Sequence, residues 1–131
     1  ALNLAMKDAK LNKDEVDYIN FHGTSTLLID KVETLAVKRT FNSHAMNIAS
    51  SSTKSMVGHP QGASGALGVA ISALSLKNGF MTPTINMENP DPECDMDYVS
   101  NMGREDNLNI AISNCISFGS KNSAIVLKKF S

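Results

Sequence analysis

Apolar positions along this chain recur with two different periods, which predict helices that alternate with short strands. Helical spacing runs through residues 1–9, 30–41 and 62–77. Short runs bounded by turn residues, typical of strands, occupy residues 16–21, 46–50, 108–113 and 123–129. We predict that these helices and strands form an α/β fold with a mixed sheet.

The two longer predicted helices differ in composition. In the helix at 30–41, Asp30 and Glu33 have the spacing of a capping pair. The apolar face of this helix is predicted at Val32, Leu35 and Ala36. The helix at 62–77 is instead rich in glycine and alanine. A helical glycine costs about 1 kcal/mol relative to alanine, so this composition indicates a close approach to another element, and we expect a buried helix between layers.

Length, charge and cysteine content narrow the function classes. A chain of 131 residues is long enough for one compact domain. Its 12 basic and 13 acidic residues form no like-charged run, which argues against nucleic acid or an anionic membrane as a partner. The most apolar stretch, 63–76, is shorter than the roughly 20 residues that a bilayer span needs.

Cysteines without paired spacing favour a reducing, cytoplasmic setting. Because Ala1 already lies in a helical pattern, we expect the chain to begin within a longer protein.

Two histidines occupy equivalent places, each in a loop of small and hydroxyl residues after a predicted strand. His22 opens the loop 22–26, and His59 closes the loop that starts at Ser51. Active sites of open α/β sheets form at the carboxyl ends of strands, so we expect the two loops to meet. Two neutral imidazoles that donate N–H groups to one carbonyl oxygen would stabilise an enolate or oxyanion. Lys54 would orient the bound group or lower the pKa of a histidine. This constellation favours acyl transfer or decarboxylation.

Other interpretations of the histidines stay open at this point. A histidine after a strand is often structural, and His22, His44 and His59 together would make a metal site, although no pair has zinc-type spacing. Residues 58–65 are glycine-rich but lack the order of a phosphate-binding loop. His44 lies in a polar turn, and we expect it to be solvated.

Neither cysteine is a convincing nucleophile. Acidic neighbours would raise the pKa of Cys94. Cys115 ends a predicted buried strand, where a small apolar role is the simpler interpretation. Phe118, between Ser117 and Gly119, is either a mobile lid residue or, as the commoner case, a core residue.

The motifs, taken together, resemble one family. His-Gly-Thr-Ser-Thr at 22–26, Lys-Ser-Met-Val-Gly-His at 54–59, Pro-Thr-Ile-Asn at 83–86, Asn-Pro-Asp at 89–91 and Ser-Phe-Gly-Ser-Lys-Asn at 117–122 follow the order of one known pattern. The pattern is similar to the C-terminal half of β-ketoacyl-[acyl-carrier-protein] synthases of the elongating type. The resemblance implies a thiolase-like fold with α-β-α-β-α layers, a mixed sheet and buried helices, of which residues 1–131 would be the C-terminal half.

The resemblance also implies catalytic roles. His22 and His59 would hold the thioester carbonyl of malonyl-carrier protein and promote its decarboxylation to a carbanion. Lys54 would be the matching lysine, oriented by acidic groups that correspond to Asp30 and Glu33. The nucleophilic cysteine of the family lies in the first half and has no counterpart here, so this chain alone is expected to be inactive in condensation.

Binding roles and partners follow from the same resemblance. Thr24 and Thr26 match hydroxyls that bind the phosphopantetheine arm, and Phe118 matches the phenylalanine that gates the acyl pocket. The family implies no metal and no cofactor beyond the phosphopantetheine that carries the substrates. Its implied partners are an acyl carrier protein, the N-terminal half of the synthase and, for the full enzyme, a second copy in a homodimer.

Departures from the family pattern leave alternatives open. Residues 117–120 replace the usual Gly-Phe-Gly-Gly, residues 27–29 replace a common Pro-x-Gly, and Gly68 replaces an acid. We expect a C-terminal fragment or split subunit of a condensing enzyme for fatty-acid or polyketide elongation. The alternatives are a non-catalytic partner similar to a chain-length factor and a structural domain with a vestigial site. The presence of both histidines and Lys54 favours the enzyme.

Overall fold

A four-stranded mixed sheet forms the centre of the computed structural model, which describes residues 1–130. Its strands are β1 (Tyr18–Asn20), β2 (Ala49–Ser51), β5 (Ile110–Cys115) and β6 (Ser123–Lys128), in the order β2-β1-β5-β6. β1 is parallel to both β2 and β5, whereas β6 is antiparallel to β5. A separate antiparallel pair, β3 (Phe80–Met81) and β4 (Arg104–Glu105), was not predicted. The predicted mixed α/β sheet is confirmed.

Helices cover both faces of this sheet. They are α1 (Leu2–Ala9), α2 (Ile29–Phe41), α3 (Lys54–Val57) and α4 (Ser64–Asn78). The bounds of α1, α2 and α4 lie within two residues of the predicted ranges, whereas α3 was not predicted. Residues of α1 and α2 pack with Ile19 on one face, while Leu76 of α4 packs with Tyr18 on the other. Successive strand residues point to opposite faces, so β1 is buried on both. In the part of the chain that is described, no helix is both long and apolar enough for a membrane span.

The predicted apolar face of α2 is wrong. Val32 and Leu35 are 45% and 47% exposed, and Ala36 is also exposed. The buried face is instead formed by Glu33, Thr34, Val37, Thr40 and Phe41. Two of its polar members, Glu33 and Thr34, have specific hydrogen-bond partners, which offset the cost of burying them. The interpretation of Asp30 and Glu33 as a capping pair is also wrong, because their carboxylates bind the backbone of the loop 22–25, while the Ile29 N–H at the start of α2 donates to the Thr26 hydroxyl at 3.3 Å.

Within the described residues, helix α4 is buried on one face only. Its enclosure between two layers stays a prediction for the complete fold. Its sheet-facing residues are Ser64, Gly68, Ser72, Ser75 and Leu76. The predicted close approach is present at Gly68, where an added Cβ would lie 2.6 Å from the Ser113 hydroxyl oxygen. Ala66, Ala70 and Leu74, spaced one turn apart, are exposed on the outer side. The outer face of α4 is therefore apolar and uncovered.

Candidate active site

The two histidine loops meet at one edge of the sheet, as predicted. His22 follows β1, and the segment that carries Lys54 and His59 follows the neighbouring parallel strand β2. The imidazole rings of His22 and His59 lie edge to face, with centroids 5.4 Å apart and planes at 83°. Parallel strands end at the same edge, so the topology itself brings the two side chains together.

The buried carboxylate of Glu33 fixes the backbone of the His22 loop. It accepts hydrogen bonds from the backbone N–H groups of His22 and Gly23, each at 2.8 Å. The side-chain amide of Asn114, at the end of β5, donates a third bond to it at 2.6 Å. Burial raises the pKa of Glu33, and these donors act in the opposite direction. Glu33 thus joins α2, β5 and the loop after β1.

The acidic groups expected to orient Lys54 have other direct partners. The Asp30 carboxylate accepts a hydrogen bond from the backbone N–H of Ser25 at 3.2 Å. Among residues 1–130, no carboxylate lies within 4.0 Å of the Lys54 ammonium nitrogen. The negative charge of Glu33 acts on Lys54 over a longer range. Orientation of Lys54 by Asp30 and Glu33 therefore stays a prediction.

The tautomer of His59 follows from its hydrogen bonds. The backbone N–H of Gln61 donates to His59 Nδ1 at 3.2 Å, and the Ser64 hydroxyl lies 3.0 Å from the same atom. A backbone N–H is a donor only, so Nδ1 is the acceptor and the neutral ring carries its proton on Nε2. His59 therefore has an N–H donor available for a ligand.

His22 is held in its neutral form. Burial lowers the pKa of His22 to about 4, and the positive charge of Lys54 acts in the same direction. Burial likewise lowers the pKa of Lys54, against the opposing effect of Glu33. At neutral pH the site thus offers an uncharged imidazole at His22, which has one N–H group to donate.

A cavity of about 440 Å³ opens beside the histidine pair. Lys54 and His59 line it, and so do Phe21 and Gly23 on either side of His22, whereas His22 itself is not a lining residue. Hydroxyl groups of the lining are on Thr24, Ser25, Thr26, Ser52, Ser55 and Thr84. The cavity thus combines hydroxyl groups with charged and ionisable side chains, which suits an amide-containing ligand.

The outer wall of the cavity is fixed to α2 by ion pairs. Asp91 lines the cavity and lies 3.2 Å from the Lys31 ammonium, which also pairs with Glu93. Lys38 pairs with Asp95 on the same side. Exposed ion pairs contribute little stability, so their effect here is to position the segment that closes the cavity.

Phe118 lies away from this cavity. It is in a short 3-10 turn after β5, is fully exposed and is not a lining residue. The interpretation of Phe118 as a core residue is therefore wrong. Its role as a gate of the acyl pocket stays a prediction.

Two other side chains differ from expectation. His44 is half-buried, and its Nε2 lies 3.0 Å from the carbonyl oxygen of Val16, so it is a structural residue rather than a solvated one. The Sγ atom of Cys115 lies 3.9 Å from Nδ1 of His22. The sequence contained no local signal for this contact, because its two residues are 93 positions apart.

Comparison with known proteins agrees with this geometry. Residues 1–88 match the family model of the β-ketoacyl synthase C-terminal domain. A 3-oxoacyl-[acyl-carrier-protein] synthase 2 from Coxiella burnetii is 47% identical over 125 residues, which are 95% of this chain and 30% of that protein.

Solved structures superpose closely on the chain. The ishigamide ketosynthase/chain length factor gives a TM-score of 0.95 at 34% identity, over 99% of this chain and 32% of that one. A ketosynthase solved with its type II polyketide acyl-carrier protein gives 0.94 at 34% identity, again over 99% of this chain and 32% of that one.

These matches establish the fold and the family. The fold is the thiolase-like α/β fold of ketosynthases. The chain spans just under a third of the length of the relatives that it matches. With the family model covering its first 88 residues, the chain belongs to the β-ketoacyl synthase family and carries the C-terminal domain of that family.

Proposed function

We propose that the complete protein is a 3-oxoacyl-[acyl-carrier-protein] synthase and that this domain supplies its decarboxylation machinery. The observation that carries the proposal is the contact between His22 and His59 at the edge of the cavity. A relative with the synthase name is 47% identical to the chain, which supports a condensing role in fatty-acid or polyketide synthesis.

In the proposed reaction the thioester oxygen of a malonyl group accepts N–H bonds from His22 and His59. The bond between the malonyl α-carbon and its carboxylate breaks, CO₂ leaves, and the electron pair forms an enolate whose negative charge lies largely on that oxygen. Two fixed donors stabilise this charge more than they stabilise the neutral carbonyl, so they lower the barrier. Lys54 adds positive charge near the developing anion and, after the larger effect of burial, favours the neutral form of His22.

Condensation also needs a cysteine that carries the acyl group, and in this proposal the N-terminal half supplies it rather than residues 1–131. The carbanion attacks an acyl thioester on a cysteine of the N-terminal half, forms the new carbon–carbon bond and releases the cysteine thiolate. This domain alone is therefore inactive in condensation. The apolar outer face of α4, with Ala66, Ala70 and Leu74, supports packing against that missing half.

The substrate is proposed to arrive on the phosphopantetheine arm of an acyl carrier protein. Thr24 and Thr26 line the cavity, and their hydroxyl oxygens lie 3.4 Å apart, a placement that suits the amide groups of this arm. A related ketosynthase was solved with its acyl-carrier protein, which supports the same class of partner here. A homodimer of the full enzyme and a cytoplasmic location are part of the proposal, as is a gating role of Phe118.

A second candidate is a non-catalytic subunit similar to a chain-length factor. The ishigamide ketosynthase/chain length factor, 34% identical to this chain, carries both names, and a match to the second of them would correspond to this candidate. It makes the opposite prediction for activity, since such a subunit would contact a synthase without decarboxylating malonyl groups itself.

The deciding experiment measures malonyl-carrier decarboxylation and acyl loading separately in the complete protein. His22→Ala and His59→Ala should abolish decarboxylation and leave loading of the cysteine measurable. His44→Ala is the matched control, because His44 contacts Val16 outside the cavity, and it should retain both activities. Loss of loading with intact decarboxylation would refute the assigned roles, and a wild-type protein without decarboxylation would favour the non-catalytic subunit.

A further inference from the structure

The backbone of the His22 loop is fixed by hydrogen bonds, but the imidazole ring needs a contact of its own to fix its tautomer. Glu33 binds the backbone N–H groups of His22 and Gly23, so it determines where the loop lies. A backbone bond leaves the imidazole free to rotate about its side-chain torsions and to exchange tautomers. In a histidine, the protonated nitrogen is determined by the hydrogen bond that the other nitrogen makes.

The only polar side-chain atom that the structure places against the His22 ring nitrogen Nδ1, among the described residues, is Cys115 Sγ at 3.9 Å. Cys115 is half-buried and follows Asn114, whose amide binds Glu33 at 2.6 Å. The end of β5 thus contacts the loop twice, through Glu33 to its backbone and through sulfur to its ring. Either atom can donate in such a contact, and donation from S–H to Nδ1 uses the better acceptor, nitrogen, and leaves the proton of the neutral ring on Nε2.

We propose that Cys115 is a positioning residue of His22, whose thiol donates to Nδ1 and thereby fixes the tautomer with the proton on Nε2. His59 has the same tautomer, fixed by Gln61 and Ser64. Both histidines then expose the same nitrogen as donor. A mismatched tautomer at His22 would present a lone pair to an oxyanion and repel it. The catalytic significance of this contact rests on the proposed function, whereas the tautomer does not.

The first test observes the tautomer directly, with ¹⁵N-labelled histidine side chains and NMR at neutral pH. The His22 signals are identified by their loss in His22→Asn. We expect Nδ1 of His22 to be unprotonated in the wild type and in Cys115→Ser, and a population with Nδ1–H to appear in Cys115→Ala. Cys94→Ala is the matched control and should leave the His22 signals unchanged. A protonated Nδ1 in the wild type, or an unchanged tautomer in Cys115→Ala, would overturn the inference.

The second test is kinetic and uses the complete protein. Loss of one hydrogen bond should lower kcat of decarboxylation in Cys115→Ala by about fivefold to tenfold, with KM for the malonyl thioester unchanged. Cys115→Ser should restore the rate. An equal loss in the serine and alanine variants would indicate packing by sulfur and contradict the proposal. If the wild type shows no decarboxylation, the proposed function fails, and the NMR result still decides the role of Cys115.

Discussion

Gly23, directly after His22, lies where a larger residue does not fit. Its φ is +35°, and an added Cβ would lie 2.5 Å from Ser52 Cβ and 2.8 Å from Ser52 Oγ. The Ser52 hydroxyl also donates to the carbonyl oxygen of Gly23 at 2.6 Å, so it is not free to move away. The chain next to the catalytic pair is thus closely confined between two loops.

Gly23→Ala is expected to lower the free energy of unfolding by about 1–3 kcal/mol from overpacking, in addition to conformational strain. Urea unfolding followed by circular dichroism measures the change. Gly119→Ala is the control, because Gly119 has a φ of +72° but no atom within 4 Å of an added Cβ. It isolates the strain term, about 1–2 kcal/mol. Equal losses in both variants would show that the contact with Ser52 is unimportant.

His22 should make stability depend on pH in a defined window. The pKa of His22 is lowered from 6.5 to about 4 in the folded protein, chiefly by burial. Between these values the unfolded chain binds more protons, so the contribution of His22 is complete above pH 6.5 and lost as the pH falls to about 4. The free energy of unfolding should fall by up to about 3 kcal/mol across that window.

Urea unfolding of the wild type and of His22→Asn at several pH values tests this contribution. The difference between the two proteins removes the opposing effect of Glu33, whose pKa is raised. Parallel pH curves for the two proteins would contradict a buried neutral His22.

At the residue scale, sequence motifs located the candidate catalytic residues but not the groups that hold them. His22, Lys54 and His59 stand in specific local motifs, and the order of parallel strands brings them together. The partners of Glu33 and Cys115 come from segments up to 93 residues away, and no local pattern encodes such a contact. Composition likewise gave no reason to place Phe118 outside the core.

Among the helices, α4 packs through its smallest residues. At Gly68 an added Cβ would lie 2.6 Å from Ser113 Oγ and 3.1 Å from Asn20 Oδ1, whereas an added Cβ at Gly65 would meet nothing within 4 Å. The same substitution on one helix should therefore have opposite effects. Gly65→Ala should stabilise the protein by up to about 1 kcal/mol through helix propensity.

Gly68→Ala should destabilise the protein by about 1–3 kcal/mol despite the same gain in propensity. Combining it with Ser113→Ala should recover part of the loss, because the Ser113 hydroxyl oxygen is the closest atom, whereas Asn20 Oδ1 would still lie 3.1 Å and Ser113 Cβ 3.9 Å from the added Cβ. Unfolding midpoints of the two single variants and the double variant decide the matter. Failure of Ser113→Ala to relieve the loss would show that the helix, rather than the hydroxyl, limits the fit.

Helix positions were predictable because their periodicity and end signals are local, but the buried face of α2 was not. Glu33, Thr34 and Thr40 count as surface residues in any hydropathy pattern, yet they are buried. The Thr34 hydroxyl lies 2.6 Å from the Tyr98 hydroxyl and donates to the carbonyl oxygen of Asp30 at 2.8 Å. Burial of such polar groups depends on tertiary partners, which outweigh the pattern of the helix itself.

At the scale of the whole molecule, the apolar outer face of α4 is not covered by any other part of residues 1–130. Ala66, Ala70 and Leu74 repeat every fourth residue along the outer side of α4, and Leu74 is 56% exposed. Association between copies would remove this surface from water. We therefore expect the 131-residue chain taken alone to self-associate through this face at high concentration.

Sedimentation velocity across a concentration series tests the association. Leu74→Glu should shift the chain toward the monomer without altering its circular dichroism. Leu4→Glu is the control, since Leu4 is exposed beside the polar residues Asn3, Lys7 and Asp8 of α1. A wild-type chain that stays monomeric would contradict the prediction, as would equal effects of the two substitutions.

The pairing of β1 with β5 also determines when the site is assembled during folding. Tyr18 pairs with Ala111, and Asn114 reaches Glu33 across 81 positions of sequence. Contacts of such long range require closure of most of the chain, which makes them slow to form. On the ribosome, His22 and His59 would therefore emerge long before β5 holds them in place. Until β5 has been synthesised, one edge of strand β1 would stay unpaired. The nascent chain is therefore most exposed to aggregation between the synthesis of β1 and that of β5.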